Sequence, residues 1–170
     1  MFGDDLVSSL SLQQRVIGTL KPPELEAAYS LLCAFKEESQ RRSPLYDELR
    51  SDYRDVLSRY VDDHQARGDR CILVARSGDG LIGIIVGAIW DYLPFYKIAR
   101  MGYISDLYVA PAVRGRGIGS ALIREMEKWF REQGVEFARI ETINAYDGNQ
   151  RLYERLGYEP FLVELRRRLT

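Results

Sequence analysis

The stretch from Leu107 to Ser120, Leu-Tyr-Val-Ala-Pro-Ala-Val-Arg-Gly-Arg-Gly-Ile-Gly-Ser, constrains the fold of this chain more than any other. Its apolar start reads as the end of a strand and its middle as a short basic turn. Ile118, Leu122, Met126 and Phe130 then recur at i+4 spacing as one apolar helix stripe. Gly115, Gly117 and Gly119 therefore stand at a helix entrance, where the first backbone N–H groups have no intrahelical partner. Without side chains at those positions a phosphate can approach the amides closely, and the helix dipole favours an anion there. Arg114 and Arg116 add positive charge. The segment Arg114, Gly115, Arg116, Gly117, Ile118, Gly119 and Ser120 reads as a diphosphate cradle.

The phosphate-binding P-loop string G-x-x-x-x-G-K-[ST] is absent. A dinucleotide fingerprint needs G-x-G-x-x-G directly after its strand. Here Ser120 stands in place of the third glycine, and Ala110 to Arg114 separate Val109 from Gly115. Glu141 does fall about twenty residues on, as a ribose-binding acid would, but only about fifty residues follow the cradle. These features weigh against the dinucleotide reading.

Arg114-Gly115-Arg116-Gly117-Ile118-Gly119 fits [RQ]-x-x-G-x-[GA], and Leu152-Tyr153-Glu154-Arg155-Leu156-Gly157-Tyr158 fits [LF]-Y-E-[KR]-x-G-[FY]. The two stand in order, with one helix and one strand between them. Together they resemble the signatures of the GNAT superfamily of N-acetyltransferases. The resemblance implies that acetyl-CoA is the co-substrate. Its 3′-phosphate-ADP arm would lie over the cradle, and its pantetheine arm would run along the backbone of Leu107, Tyr108 and Val109. The Val109 N–H would then face the thioester carbonyl. The resemblance also places Tyr153 beside the sulfur, where its hydroxyl can protonate a departing thiolate.

Acetyl transfer needs a neutral amine, so a base is required at neutral pH. Polyamine acetyltransferases of the superfamily carry a Glu where this chain has Ser105, which cannot serve. Strand alternation would turn the adjacent Asp106 to the opposite face. Asp106, Glu141 on the next strand, or a chain of waters stay open as the proton acceptor. The family often has a CoA-contacting Asn seven residues before the tyrosine; here that position is Tyr146, flanked by Asn144 and Asn149. Asn149 is retained as a candidate contact. The lone His64, among Asp62, Asp63 and Arg67, reads as a residue of a solvated helix end.

With 170 residues the chain suffices for one domain with a real core, residues 1–170 being read as a single unit. A net charge of −1 gives no support to nucleic-acid binding. Cys33 and Cys71 lie in apolar surroundings without metal-ligand or disulfide spacing, so no metal and a reducing compartment are expected. No apolar run approaches the ~20 residues that span a membrane, and the N-terminus lacks a signal-peptide pattern. A cytoplasmic protein, not membrane-bound, is expected, and a homodimer is plausible.

Along the chain, Gln14 to Leu20 reads as a first strand. Pro22-Pro23 opens a helix with Leu25, Ala28, Leu32 and Phe35 on one side. Ser43-Pro44 marks a second helix start, running to about Gln65 with Tyr60 and Val61 on its buried side. Strands follow at Cys71–Arg76 and Leu81–Trp90 across a Ser77-Gly78-Asp79-Gly80 turn, then at Met101–Val109. Phe137–Ile143 is a strand, Asn149–Leu156 a helix, and Phe161–Leu169 a closing strand. The expected class is α/β (α+β). Family resemblance implies a mixed, mostly antiparallel central sheet of about six or seven strands flanked by roughly four helices. The acceptor pocket is implied between the second helix and the Asp91–Ala99 connector. There Trp90, Tyr92, Phe95 and Tyr96 read either as an aromatic wall for an amine-bearing ligand or as cover for the sheet edge. The expected activity is direct acetyl transfer from acetyl-CoA to a primary amine. The alternative is a non-catalytic acyl-CoA-binding module of the same fold.

Overall fold

The computed structural model describes residues 15–43, 48–78, 80–142, 147–167 and 169. The elements are β1 (Val16–Thr19), a short 3-10 turn (Pro22–Glu24), α1 (Leu25–Arg42), α2 (Tyr53–Ala66), β2 (Arg70–Ser77), β3 (Gly80–Asp91) and β4 (Arg100–Val109). A second 3-10 turn (Pro111–Val113), α3 (Ile118–Glu132), β5 (Ala138–Ile140) and α4 (Asp147–Arg155) follow. The sheet runs β1-β2-β3-β4-β5. The first three pairings are antiparallel; β4 and β5 are parallel, joined by the α3 crossover.

Both faces of the sheet are covered, which is why β2 and β3 read as nearly continuous apolar runs. Leu73, Ala75, Ile85, Ile89 and Ile104 pack with Ile118, Leu122, Ile123, Met126 and Phe130 of α3. Their alternates Ile72, Val74, Ile84, Val86 and Tyr108 pack with Ala28, Leu32 and Cys33 of α1 and with Leu57 and Val61 of α2. Gly102 is required by close approach: a Cβ there would stand 2.7 Å from Phe130 ring carbons. Gly102→Ala is expected to destabilise by about 1–3 kcal/mol through overpacking. A thermal melt reads this as a Tm lower by about 2–4 °C per kcal/mol.

The fold class stands, with differences in detail. Among the described residues the sheet has five strands. Phe161–Leu169 does not close it: residues 159–167 and 169 carry no strand, and Phe161, Leu162, Val163 and Leu165 are exposed. Only three residues of β5 pair with β4, so β5 is too short to template a long ladder. Ser43 closes a helix instead of capping the start of one, and Pro44, expected as the first helical residue, lies with residues 45–47 outside the described residues. The Ser43 N–H donates to Ser39 O as the C-cap of α1, since a residue preceding proline is disfavoured in the helical region. The second helix begins at Tyr53.

His64 also departs from expectation. It is buried, its ring packs 4.0 Å from that of Tyr60, and its Nδ1 lies 2.8 Å from Tyr60 O. Burial lowers its pKa, so the folded state holds it neutral. The unfolded chain takes up a proton below pH ~6.5, so the stability from this group is full above that pH and is lost as pH falls. Urea midpoints at about pH 7.5 and 5.5 should fall further for the wild type than for His64→Gln.

Candidate active site

The site is built where β4 parts from its neighbours. Val86 faces Asp106 and Gly87 faces Ile104, so Ser105 is an extra residue in β4. This bulge breaks the alternation that would have turned Ser105 and Asp106 to opposite faces. Both side chains meet Tyr60 of α2: its hydroxyl donates to Asp106 Oδ2 at 2.9 Å and lies 2.9 Å from Ser105 Oγ. Ser105 Oγ donates to the same carboxylate oxygen at 2.7 Å, and Lys36 Nζ of α1 pairs with Oδ1. Asp106 is only 2% exposed, so this set of donors is what makes a buried carboxylate tolerable. Burial and the Asp106 charge push the Tyr60 hydroxyl far above the usual phenol range.

On the other side of β4, pairing with β5 covers only Gly102 to Ile104. Beyond Ile104 the strands leave a cleft lined by Phe35, Ser39, Ser105, Asp106, Leu107, Glu141 and Tyr153 among others. All three candidate catalytic residues, Tyr153, Asp106 and Glu141, therefore line one cleft, the Asp106 carboxylate being held by Lys36, Tyr60 and Ser105. Tyr153 of α4 is 9% exposed, and burial pushes its hydroxyl up to about 12, so it is protonated at neutral pH. Glu141, at the mouth, accepts from Tyr103 OH at 3.0 Å and pairs with Arg139.

The backbone at the end of β4 also faces this gap. Ala110 N–H donates to Ile82 O, towards β3. In an extended strand successive peptide groups alternate sides, so the N–H groups of Val109 and Leu107 point away from β3, into the gap. Arg114 Nε donates to Val109 O at 2.8 Å, in keeping with that direction. The side chains of Leu107 and Val109 join the α3-side core, and that of Tyr108 joins the opposite core.

The cradle lies beyond Val109. Gly115 and Gly117 have φ of 75° and 78°, a left-handed backbone that favours glycine. A Cβ at either would meet nothing within 4 Å. The bond from Ala121 N–H to Gly117 O (3.1 Å) opens the α3 ladder, so the N–H groups of Ile118, Gly119 and Ser120 have no intrahelical acceptor. The Ile118 side chain is buried in the core. Arg116 is exposed, and its carbonyl accepts from Arg15 at 2.8 Å. Arg114, though exposed, reaches α1: its Nη1 and Nη2 hold Glu38 at 3.0 and 2.7 Å, tying α1 to the cradle. The Arg114 guanidinium keeps the Glu38 carboxyl below its usual range. Asn149 lies within α4, while Asn144 and Tyr146 fall outside the described residues.

Sequence reasoning missed Lys36, Glu38 and Tyr103. Lys36 and Glu38 flank the apolar stripe of α1, where a charged residue ordinarily reads as solvated. Among the described residues no group of three or more His, Cys, Asp or Glu could hold a metal. No described helix is long and apolar enough to cross a membrane.

The sequence model of the Acetyltransferase (GNAT) family matches residues 26–158. The chain is 36% identical over 69 residues to a probable N-acetyltransferase, HLS1, of Arabidopsis thaliana, a match covering 40% of this chain and 17% of that protein. It thus spans less than a fifth of that relative's length. A GCN5-related N-acetyltransferase from Ralstonia eutropha JMP134 superposes with a TM-score of 0.72 at 24% identity, covering 91% of this chain and 98% of that one. The aminoglycoside N-acetyltransferase AAC(6')-Iy, solved in complex with CoA, superposes with a TM-score of 0.72 at 17% identity, covering 92% and 96%. These two likenesses show the fold.

Proposed function

The chain belongs to the Acetyltransferase (GNAT) family, and on that premise we propose that it moves an acetyl group from acetyl-CoA directly to a primary amine. The observation that carries this reading is the single cleft between β4 and β5, which meets Tyr153, Asp106 and Glu141 and lies beside the β4 backbone that leads to the glycine cradle. The residues present fit the co-substrate, because the loop is open where a Cβ at Gly115 or Gly117 would stand and the first amides of α3 have no intrahelical acceptor. Backbone amides from Gly115 to Ser120 would hold the phosphates, with Arg114 and Arg116 as local positive charge and Asn149 as a further contact. The backbone of Leu107, Tyr108 and Val109 would hold the pantetheine arm as an added strand does. Acetyl-CoA supplies an acetyl group activated as a thioester.

In this reading the Val109 N–H stabilises the carbonyl oxygen as negative charge develops on it. The amine nitrogen forms the new C–N bond, the C–S bond breaks, and the Tyr153 hydroxyl gives its proton to the departing sulfur. Glu141 takes the amine proton at the mouth, where it can pass it to solvent. Asp106, already accepting from Lys36, Tyr60 and Ser105, orients the amine. A cytoplasmic setting fits the free thiols of Cys33 and Cys71, both buried. Pairing of two copies is part of the proposal, and light scattering tests it.

One observation favours the non-catalytic reading: both candidate bases are engaged, Asp106 by three donors and Glu141 by Tyr103 and Arg139. Thiol release from acetyl-CoA across a panel of amines separates the two. Release stimulated by an amine supports the enzyme; binding of acetyl-CoA with no stimulated release by any amine establishes the binding module instead.

A further inference from the structure

The acceptor end of the cleft carries information about the amine itself, and this inference rests on the acyl-transfer reading. From the bulge outwards, the sheet face that presents Ser105 and Asp106 continues into aromatic side chains. Tyr103 OH donates to Glu141, a residue of the cleft lining. The Trp90 ring packs 4.5 Å from that of Tyr103 at a tilt of 49°, yet Trp90 is 49% exposed. In the connector that follows, Tyr96 stacks on Tyr92 and meets Phe95 at a tilt of 57°, with Phe95 73% exposed. Apolar surface left uncovered beside a polar cleft marks a site where something apolar binds.

Charge narrows what that something is. The two carboxylates that line the cleft already have cations from the chain: Asp106 has Lys36 and Glu141 has Arg139. On α1, Glu37 has Arg54, and Glu38 has Arg114 and Arg42. The Arg139 guanidinium also lies over the Tyr103 ring, 5.2 Å from its centre. A polycation would bring its extra ammonium groups up against Lys36 and Arg139, with these carboxylates already neutralised. A single amine on a flat apolar body brings no extra ammonium groups, and its body gains the aromatic surface.

We propose that the acceptor is a primary monoamine carried on an aromatic or similarly flat apolar group. That group lies against Trp90 and Tyr103, with its nitrogen directed towards Glu141 and Asp106. Trp90 is then a specificity-determining residue.

The test measures kcat/KM for phenethylamine, ethylamine and spermidine in the wild type, Trp90→Ala and Trp90→Phe, with acetyl-CoA affinity followed in each. The wild type should favour phenethylamine over both other amines by about tenfold or more, the scale of one well-placed apolar contact. In Trp90→Ala the preference over ethylamine should shrink by about tenfold, mainly through KM, and Trp90→Phe should restore part of it. Acetyl-CoA affinity should not move, which distinguishes lost recognition from lost folding. A wild-type preference for spermidine, or a Trp90→Ala loss equal for all three amines, overturns the assignment and leaves acyl transfer intact. Bound acetyl-CoA with no transfer to any amine overturns the transfer reading, and this assignment with it.

Discussion

Tyr153→Phe should lower kcat by about 10²–10⁴, the usual contribution of a positioned proton donor. The substitution keeps the ring that packs in the α3-side core and edge-on to Tyr158, and removes only the hydroxyl. That hydroxyl, raised to about 12 by burial, holds its proton throughout the neutral range. It is therefore a donor and not a base at working pH. Acetyl-CoA affinity should change little, because the contacts proposed for it come from the β4 backbone and the cradle. Steady-state kinetics with a parallel binding titration check both halves. A variant with near-normal kcat would remove Tyr153 from the chemistry and leave the sulfur to be protonated by water.

The largest stability effect should come from Lys36→Met. Asp106 is 2% exposed, and Lys36 is its cation. Removing one partner of a buried ion pair leaves a charge without compensation, which costs about 3–5 kcal/mol. Lys36 keeps a third of its side chain exposed, and Tyr60 and Ser105 still donate to the carboxylate, so the low end of about 3 kcal/mol is expected. For a chain of this size that lowers Tm by roughly 6–12 °C. Adding Asp106→Asn in the same background should restore part of the loss, because the two positions are coupled. A melt of Lys36→Met within about 1 kcal/mol of the wild type would mean that the pair contributes no more than a surface contact.

The cradle was legible because its physics is local. A glycine with positive φ, an apolar i+4 stripe and a helix entrance are written in adjacent residues, and Gly115, Gly117 and α3 follow that pattern. The convergence of Tyr153, Asp106 and Glu141 on one cleft was legible only as a set of candidates. Their meeting depends on where β5 stops pairing with β4, a property of two strands distant in sequence. The bulge at Ser105 left no local mark, so simple alternation sent Asp106 to the wrong face. Ser43-Pro44 carries the same residues whether it caps a helix start or ends one; the length of α1 decided the matter. The clasp from Arg114 to Glu38 spans α1 and the cradle loop, and no periodicity within either element announces it.

The central claim is that the β4–β5 gap and the glycine cradle together bind acetyl-CoA. Calorimetric titration of the whole chain with acetyl-CoA tests it most directly. The account predicts saturable heat with one ligand per chain. Binding should be weakened strongly by Gly117→Val, whose branched side chain would strain a backbone of φ 78° at the helix entrance and so displace the loop amides. No binding by the folded wild type at millimolar acetyl-CoA would contradict it.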